Sequence, residues 1–177
     1  MVVTVTDVND NKPTFNQFSY SFRVSENNPI DHEVGVIGPA TDKDKDDNAE
    51  IVYFITSGDA KREFNVDNSS GKLIAKHRLD REITSSYNLV VEARDKGTPS
   101  LYTRVPVEVI VEEVNDNTPK FSKKNYICQI SENSAENTPV CFIRASDKDE
   151  GQNGVVTYEL IVPSADFSVN QVSFDLI

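Results

Sequence analysis

The sequence predicts an all-β fold of sandwich modules arranged in tandem, and three observations carry that reading. Short segments alternate apolar and polar residues with a period of two, as half-buried strands do, and none sustains the period of a helix. Turn residues interrupt these segments at close intervals. The pentapeptide Asp7-Val8-Asn9-Asp10-Asn11 returns 106 positions later as Glu113-Val114-Asn115-Asp116-Asn117, each copy followed by a Pro and a Phe (Pro13 and Phe15, Pro119 and Phe121). Other groups recur in step: Ser25-Glu26-Asn27 as Ser131-Glu132-Asn133, Asp42-Lys43-Asp44 as Asp147-Lys148-Asp149, and Tyr53 as Tyr158. A period close to the size of one small domain marks repeated modules.

The strands follow in order. Phe18, Tyr20, Phe22 and Val24 alternate with polar residues and open the first module. Val34 to Ile37, Ile51 to Ile55 and the short Glu63 to Val66 come next. Lys72 to Ala75 follows the turn Asn68-Ser69-Ser70-Gly71, and Tyr87 to Ala93 pairs with Tyr102 to Val111 around Asp95-Lys96-Gly97-Thr98-Pro99. Seven strands in about a hundred residues match an immunoglobulin-like sandwich, without the Cys and Trp markers of true immunoglobulin domains. The second module repeats the opening at Tyr126 to Ile130, Val140 to Ile143, Val155 to Ile161 and Phe167 to Val169. We therefore expect residues 1–11 to end a preceding module with its linker, 12–117 to form a complete module with its own linker, and 118–177 to be a truncated second module. A half sandwich leaves strand edges unpaired, so the second module is expected not to be stable alone.

Composition narrows the function. The 177 residues include 29 acidic and 18 basic ones, a formal charge of −11. Such a chain is not built for nucleic acid or for anionic membrane surfaces, both of which attract Lys and Arg. No stretch approaches the roughly 20 apolar residues of a membrane helix, and the start lacks the pattern of a signal peptide. If the protein works outside the cell, a signal and an anchor are expected to lie outside this stretch. The two cysteines, Cys128 and Cys141, fit no zinc spacing. We read them as two buried free thiols, with a bridge between neighbouring strands as the alternative. Asn68-Ser69-Ser70 is a glycosylation sequon in a Gly-containing turn, a feature of secreted chains.

The acidic residues are clustered and in phase, which points to divalent cations. Calcium takes six to eight hard oxygen ligands, more than one loop readily supplies, so ligands must converge from several turns. In a sandwich the loops gather at the two ends. Glu26, the Asp80-Arg81-Glu82 loop and the 113–117 segment belong to one end of the first module, and Asp147, Asp149 and Asn153 to an end of the second. Seven carboxylates (Glu26, Asp80, Glu82, Glu113, Asp116, Asp147 and Asp149) repel one another unless cations lie between them. An EF-hand, which Asp42-Lys43-Asp44-Lys45-Asp46 superficially begins, fails because Asp47 stands at its Gly position and Tyr53 at its Glu position. A catalytic reading finds no nucleophile elbow and no Gly-rich phosphate loop, and His32 and His77 lack motif partners. A glycosidase based on paired carboxylates is disfavoured, because the acids follow ligand phasing and no separate aromatic sugar platform is evident.

The residues closely resemble the cadherin repeat family. The resemblance rests on Ser25-Glu26-Asn27, on Ala40-Thr41-Asp42-Lys43-Asp44 with Asn48-Ala49, and on Leu79-Asp80-Arg81-Glu82. Ala93-Arg94-Asp95-Lys96-Gly97 and the Asp-Val-Asn-Asp-Asn linker complete the set, which spans essentially the whole chain. It implies Greek-key sandwiches in tandem with Ca2+ at each junction, about three ions per complete one. Carried over, the outermost ion takes Glu26, Asp80, Glu82 and Asp116. The middle ion takes Glu26, Glu82, Glu113, the Val114 carbonyl, Asp116 and Asp149. The third takes Asn115, the Asn117 carbonyl, Asp147, Asp149 and the Asn153 carbonyl. At the other junction Asn9, Asn11, Asp42, Asp44, Asn48 and Asp95 form a third-ion set, while Asp7 and Asp10 await ligands from a preceding module.

Two departures stand out: Glu113 replaces the usual Asp, and Asp46 replaces a common Gly, which is expected to change the loop shape more than the ligand set. The Trp used for strand exchange by type I and II cadherins has no counterpart, so the chain resembles interior repeats of Fat-, Dachsous- or protocadherin-type ectodomains. The implied function is calcium-dependent cell–cell adhesion by the extracellular part of a membrane-anchored plasma-membrane protein. Its implied partners are other cadherin ectodomains, homophilic or heterophilic, with no enzymatic activity. An architectural spacer or mechanical tether without an adhesive face is the alternative.

Overall fold

The computed structural model describes residues 1–170 and 175–176. The chain divides into two compact units, Met1–Glu113 and Val114–Ile177.

The first unit holds seven strands: β1 (Tyr20–Ser25), β2 (His32–Val36), β3 (Val52–Ser57), β4 (Phe64–Val66), β5 (Lys72–Ala75), β6 (Ser86–Arg94) and β7 (Tyr102–Glu112). One sheet runs β1-β7-β6-β3 and the other β2-β5-β4. All pairings are antiparallel except β1 with β7, which run parallel from Tyr20 opposite Val107 to Ser25 opposite Glu112. The alternation read from the sequence sets the faces. Along β7, Val105, Val107, Val109 and Val111 are buried while Arg104, Pro106, Glu108 and Glu112 face out. Pro106 lies one position before β1 begins to pair at Val107, so β7 is still an edge strand on that side and no ladder to β1 is lost there. Leu89 and Val91 of the neighbouring β6 share that face, and Ile37, Phe64, Val66, Leu73 and Leu79 close the core from the other side. Each fully buried Leu, Ile or Val contributes about 1.5–3 kcal/mol relative to exposure. Phe18, read as the first apolar residue of the opening alternation, is instead fully exposed outside β1, and the buried run starts at Tyr20. A period of two does not mark where pairing starts.

Tyr53 shows how the repeat is built. Its buried ring packs beside Phe15 and its hydroxyl accepts the Ala40 N–H at 2.8 Å. In the second unit the Tyr158 hydroxyl accepts the Ala145 N–H at 2.6 Å, the same contact in phase. Left-handed backbone also recurs in phase: Asn27 (φ 56°) with Asn133 (62°), Asp31 (59°) with Asn137 (61°), and Asp46 (53°) with Gly151 (60°). The loop shape expected to change at Asp46 thus keeps the left-handed conformation that Gly favours, with Asp adopting it at some cost.

In the second unit β8 (Lys120–Phe121) pairs with β10 (Ala145–Ser146), and β9 (Cys141–Phe142), β11 (Val169–Asn170) and β12 (Asp175–Leu176) form a sheet in the order β11-β12-β9. The strands expected at 126–130 and 155–161 are absent, and 140–143 is reduced to two residues. Among the described residues no backbone ladder reaches 126–130 or 155–161, and without a paired neighbour a segment is not a strand. The cysteines also correct the reading. Cys128 and Cys141 form a disulfide with Cα atoms 5.8 Å apart, inside the range such a bond allows. The fold brings them together across a sequence separation of 13, which spacing alone did not decide. Closing a loop of that size removes freedom from the unfolded chain worth about 3 kcal/mol.

Candidate metal centre

The first oxygen-rich set lies at one end of the first unit, where the 7–11 segment crosses the 42–48 and 95–99 loops. Asp95 is buried, and its carboxylate accepts from Gly97 N and Leu101 N, each at 3.0 Å, and from Asn9 Nδ2 at 3.1 Å. Asn9 Nδ2 also donates to the Pro99 carbonyl at 2.8 Å, so the amide nitrogen is fully engaged and its oxygen is turned the other way. Gly97 makes this approach possible, because a Cβ there would collide with the Asn9 amide and stand 2.7 Å from Asn48 Oδ1. Asp44, also buried, accepts from the Asn11 backbone N–H at 3.0 Å and from Asn11 Nδ2. Asp42 Oδ1 in turn accepts the Asp44 N–H at 3.0 Å. Asp7, expected to await a distant partner, accepts from Lys45 N and Asn48 Nδ2 at 3.0 Å each. Those two bonds, the Asn48 amide first, hold its carboxyl below the usual range.

Two atoms in this set are orphaned. Asn9 Oδ1 and Asp42 Oδ2 are buried with no hydrogen-bond partner among the described residues. A buried oxygen left unsatisfied costs about 1–3 kcal/mol, more when charged, so such atoms call for an explanation. Both are hard oxygens on side chains bonded to acidic neighbours, Asn9 to Asp95 and Asp42 to the Asp44 N–H, in the loops that also carry Asn11 and Asn48. That donor set fits calcium, which a rigid cage of oxygen ligands holds best.

The second set lies at Glu26, Glu82 and Glu113, whose carboxylates offer oxygens within 4.8 Å of one another. Glu26 is buried beyond the end of β1, where its N–H donates to the Glu112 carbonyl, and its side chain accepts the Arg81 N–H at 2.9 Å. Arg81, to which sequence reasoning gave no role, pairs its guanidinium with Glu113 Oε2 at 3.0 Å and so offsets part of the local repulsion. Its place inside Asp80-Arg81-Glu82 was the signal. Asp80 is not in this cluster; its carboxylate accepts the Ile83 N–H at 3.0 Å and closes the 80–84 turn.

Within the second unit the scaffold of the first set is repeated. Asn117 Nδ2 donates to Asp149 Oδ1 at 2.7 Å and the Asn117 N–H lies 3.3 Å from both Asp149 oxygens. Asp147 Oδ1 accepts the Asp149 N–H at 3.0 Å, as Asp42 does for Asp44. Asp149 is buried and offers an oxygen within 4.8 Å of Asp116, which accepts from Asn117 Nδ2 at 2.7 Å. The first unit has the counterpart of that last bond, with Asp10 accepting from Asn11 Nδ2 at 2.7 Å. Asn153 is half-buried, while Val114 and Asn115 are exposed.

The profile of the cadherin domain matches residues 20–112, which span the seven strands of the first unit. The chain is 38% identical to human protocadherin Fat 4 over 99% of its length and 35% identical to Drosophila melanogaster protein dachsous over 99%. It spans only 4% and 5% of those proteins. Among solved structures, mouse cadherin-23 EC22-24 aligns with 97% of this chain and 55% of its own, at 32% identity and a TM-score of 0.90. With the domain profile covering a complete seven-stranded sandwich, the chain belongs to the cadherin family.

Proposed function

We propose that these are calcium-binding cadherin repeats that stiffen the ectodomain of a plasma-membrane protein in calcium-dependent cell–cell adhesion. Cadherin domains serve extracellular adhesion and are not enzymes. The observation that carries the calcium reading is the pair of orphaned buried oxygens, Asn9 Oδ1 and Asp42 Oδ2, on side chains bonded to Asp95 and to the Asp44 N–H. The Glu26, Glu82 and Glu113 cluster and the Asp116, Asn117, Asp147 and Asp149 scaffold support the same chemistry at the other assigned positions. Asp7, Asp10, Asp80, Val114, Asn115 and Asn153 enter as ligands on the family resemblance, and about three ions per complete junction are proposed.

A ligand that binds only the folded state stabilises it by mass action. With extracellular affinities near 10⁻⁴–10⁻³ M, 5 mM calcium adds about 1–2 kcal/mol per site over a chelator. The melting temperature of the full chain should rise accordingly, and identical melting curves in the two buffers would end the proposal. The adhesive partners are other cadherin ectodomains, homophilic contact being the first reading. Beads coated with the complete ectodomain should aggregate only with calcium. Dispersed beads despite a calcium-dependent melt would leave the spacer reading in its place.

A further inference from the structure

Asn68 is an N-glycosylation site: the structure places the one Asn-X-Ser/Thr sequon of this chain on an open turn, and we propose that it carries an oligosaccharide. Every other Asn lacks Ser or Thr two positions on (Pro does not intervene at Asn68). Asn68 sits exposed in the turn between β4 and β5, and its side-chain amide makes no hydrogen bond among the described residues. Only its backbone carbonyl is used, accepting the Tyr53 N–H at 3.0 Å. The turn does not depend on that amide. Asp67 supplies its internal bonds, accepting from Ser70 N at 2.8 Å, Ser69 N at 3.1 Å and both serine hydroxyls. A bulky, hydrated group on Asn68 Nδ2 therefore disturbs no contact of the fold.

The surroundings leave room for it. Asn68 stands at the rim of an open cleft of about 660 Å³ between β3 and β4, lined by Phe54, Thr56, Gly58, Phe64 and Val66. These two strands are the edge strands of the two sheets on that side, β3 giving only its Tyr53 N–H to the turn. Exposed edges invite pairing with other chains, and a glycan beside them hinders that approach. The consequence is that a docking partner is steered away from the β3–β4 side.

The step balances simply. Asn68 Nδ2 attacks the anomeric carbon of a lipid-pyrophosphate-linked oligosaccharide; the new C–N bond replaces the C–O bond, the lipid pyrophosphate leaves, and one amide proton passes to base. In the folded turn the Ser70 hydroxyl donates to Asp67, so transfer occurs before the turn closes, while the sequon hydroxyl is free. This inference rests on the cell-surface reading, and its test separates the two. The full chain fused to a cleavable secretion signal is expressed in animal cells and recovered from the medium. Peptide N-glycosidase should then raise its mobility by one step and convert residue 68 to Asp in the peptide mass. Asn68→Gln and Ser70→Ala should each abolish the step while retaining the calcium-induced rise in melting temperature, and Ser70→Thr should keep the step. A secreted parent chain without glycan at Asn68 overturns the site and leaves the cell-surface reading intact. A natural full-length protein confined inside the cell overturns that reading instead, whatever the fused chain shows.

Discussion

At the scale of single residues, the internal repeat acts as a built-in control. Asp46 and Gly151 hold the same left-handed backbone, and only one of them is glycine. Asp46→Gly should relieve the side-chain penalty at a small entropic cost in the unfolded chain, for a net gain of about 0.5–1 kcal/mol. Chemical denaturation in calcium measures it, and a loss of stability would show that the Asp46 carboxylate holds the loop in another way. The ligand assignments also rank at this scale. Asp80 is occupied by the Ile83 N–H, whereas Asp116 lies beside the buried Asp149 carboxylate. Asp116→Ala should weaken calcium binding more than Asp80→Ala in calorimetric titration; equal losses would refute the ranking. Asp67 gives the pH counterpart. Four bonds, led by the Ser70 hydroxyl, hold its folded carboxyl well below its unfolded value. A depressed carboxylate contributes stability that is complete above the unfolded value near 4 and fades as pH falls through the folded one. Asp67→Ala should therefore lower the melting point at pH 7 and make less difference at pH 2, read by thermal melts at both.

At the scale of elements, all seven strands of the first unit were legible; β1, β4, β5 and β7 bury alternate residues against a facing sheet, while β2, which buries none of its residues fully, was legible by its place between turn residues. Tyr20, Val24, Leu89 and Val107 announce their side of the sheet by period alone. The second unit shows the limit of that signal. Val156, Tyr158 and Leu160 alternate with Thr157 and Glu159, yet a strand is a relation between two segments, and alternation names only one of them. The same gap explains Cys128 and Cys141, whose bond depends on a distance set by chain neighbours. The ligand types were legible too, since they recur in phase. Which oxygens lie buried and unpaired was not, because Asn9 Oδ1 is oriented by the Asp95 and Pro99 acceptors on its amide nitrogen. One element carries an unforeseen network: Glu92 on β6, buried on the outer face, is clamped by Arg94 at 2.6 Å and Arg104 at 2.9 Å, both beside the Tyr102 ring. The arginines remain about half exposed, so Glu92→Ala strands no buried charge. We expect a loss of about 1–2 kcal/mol, below the 3–5 typical of a broken buried pair. Denaturation of the variant checks it.

At the scale of the whole chain, the two units differ in how well their apolar residues are covered. The first buries a continuous core, while Phe121, Ile127, Phe142, Val155 and Ile161 of the second are exposed. Local opening follows sparse burial. Limited trypsin digestion in calcium should therefore cut first after Lys123, Lys124, Arg144 or Lys148, sparing 20–112. The peptide 125–144 released without reductant should be lighter than its reduced form by two hydrogen atoms, the mass of the closed bridge. Equal resistance of both units would show that the second is held more firmly than its burial implies.

The parallel pairing of β1 with β7 has a consequence for load. The strand that opens the first unit and the strand that closes it lie side by side and point the same way. Tension applied at the two ends of the unit therefore runs along both strands in opposite senses. It tries to slide one past the other, and every bond between Tyr20–Ser25 and Val107–Glu112 is strained together. A hairpin at the same place would instead be peeled open one bond at a time. The topology makes this unit a shear joint, fitted to a chain pulled from both ends.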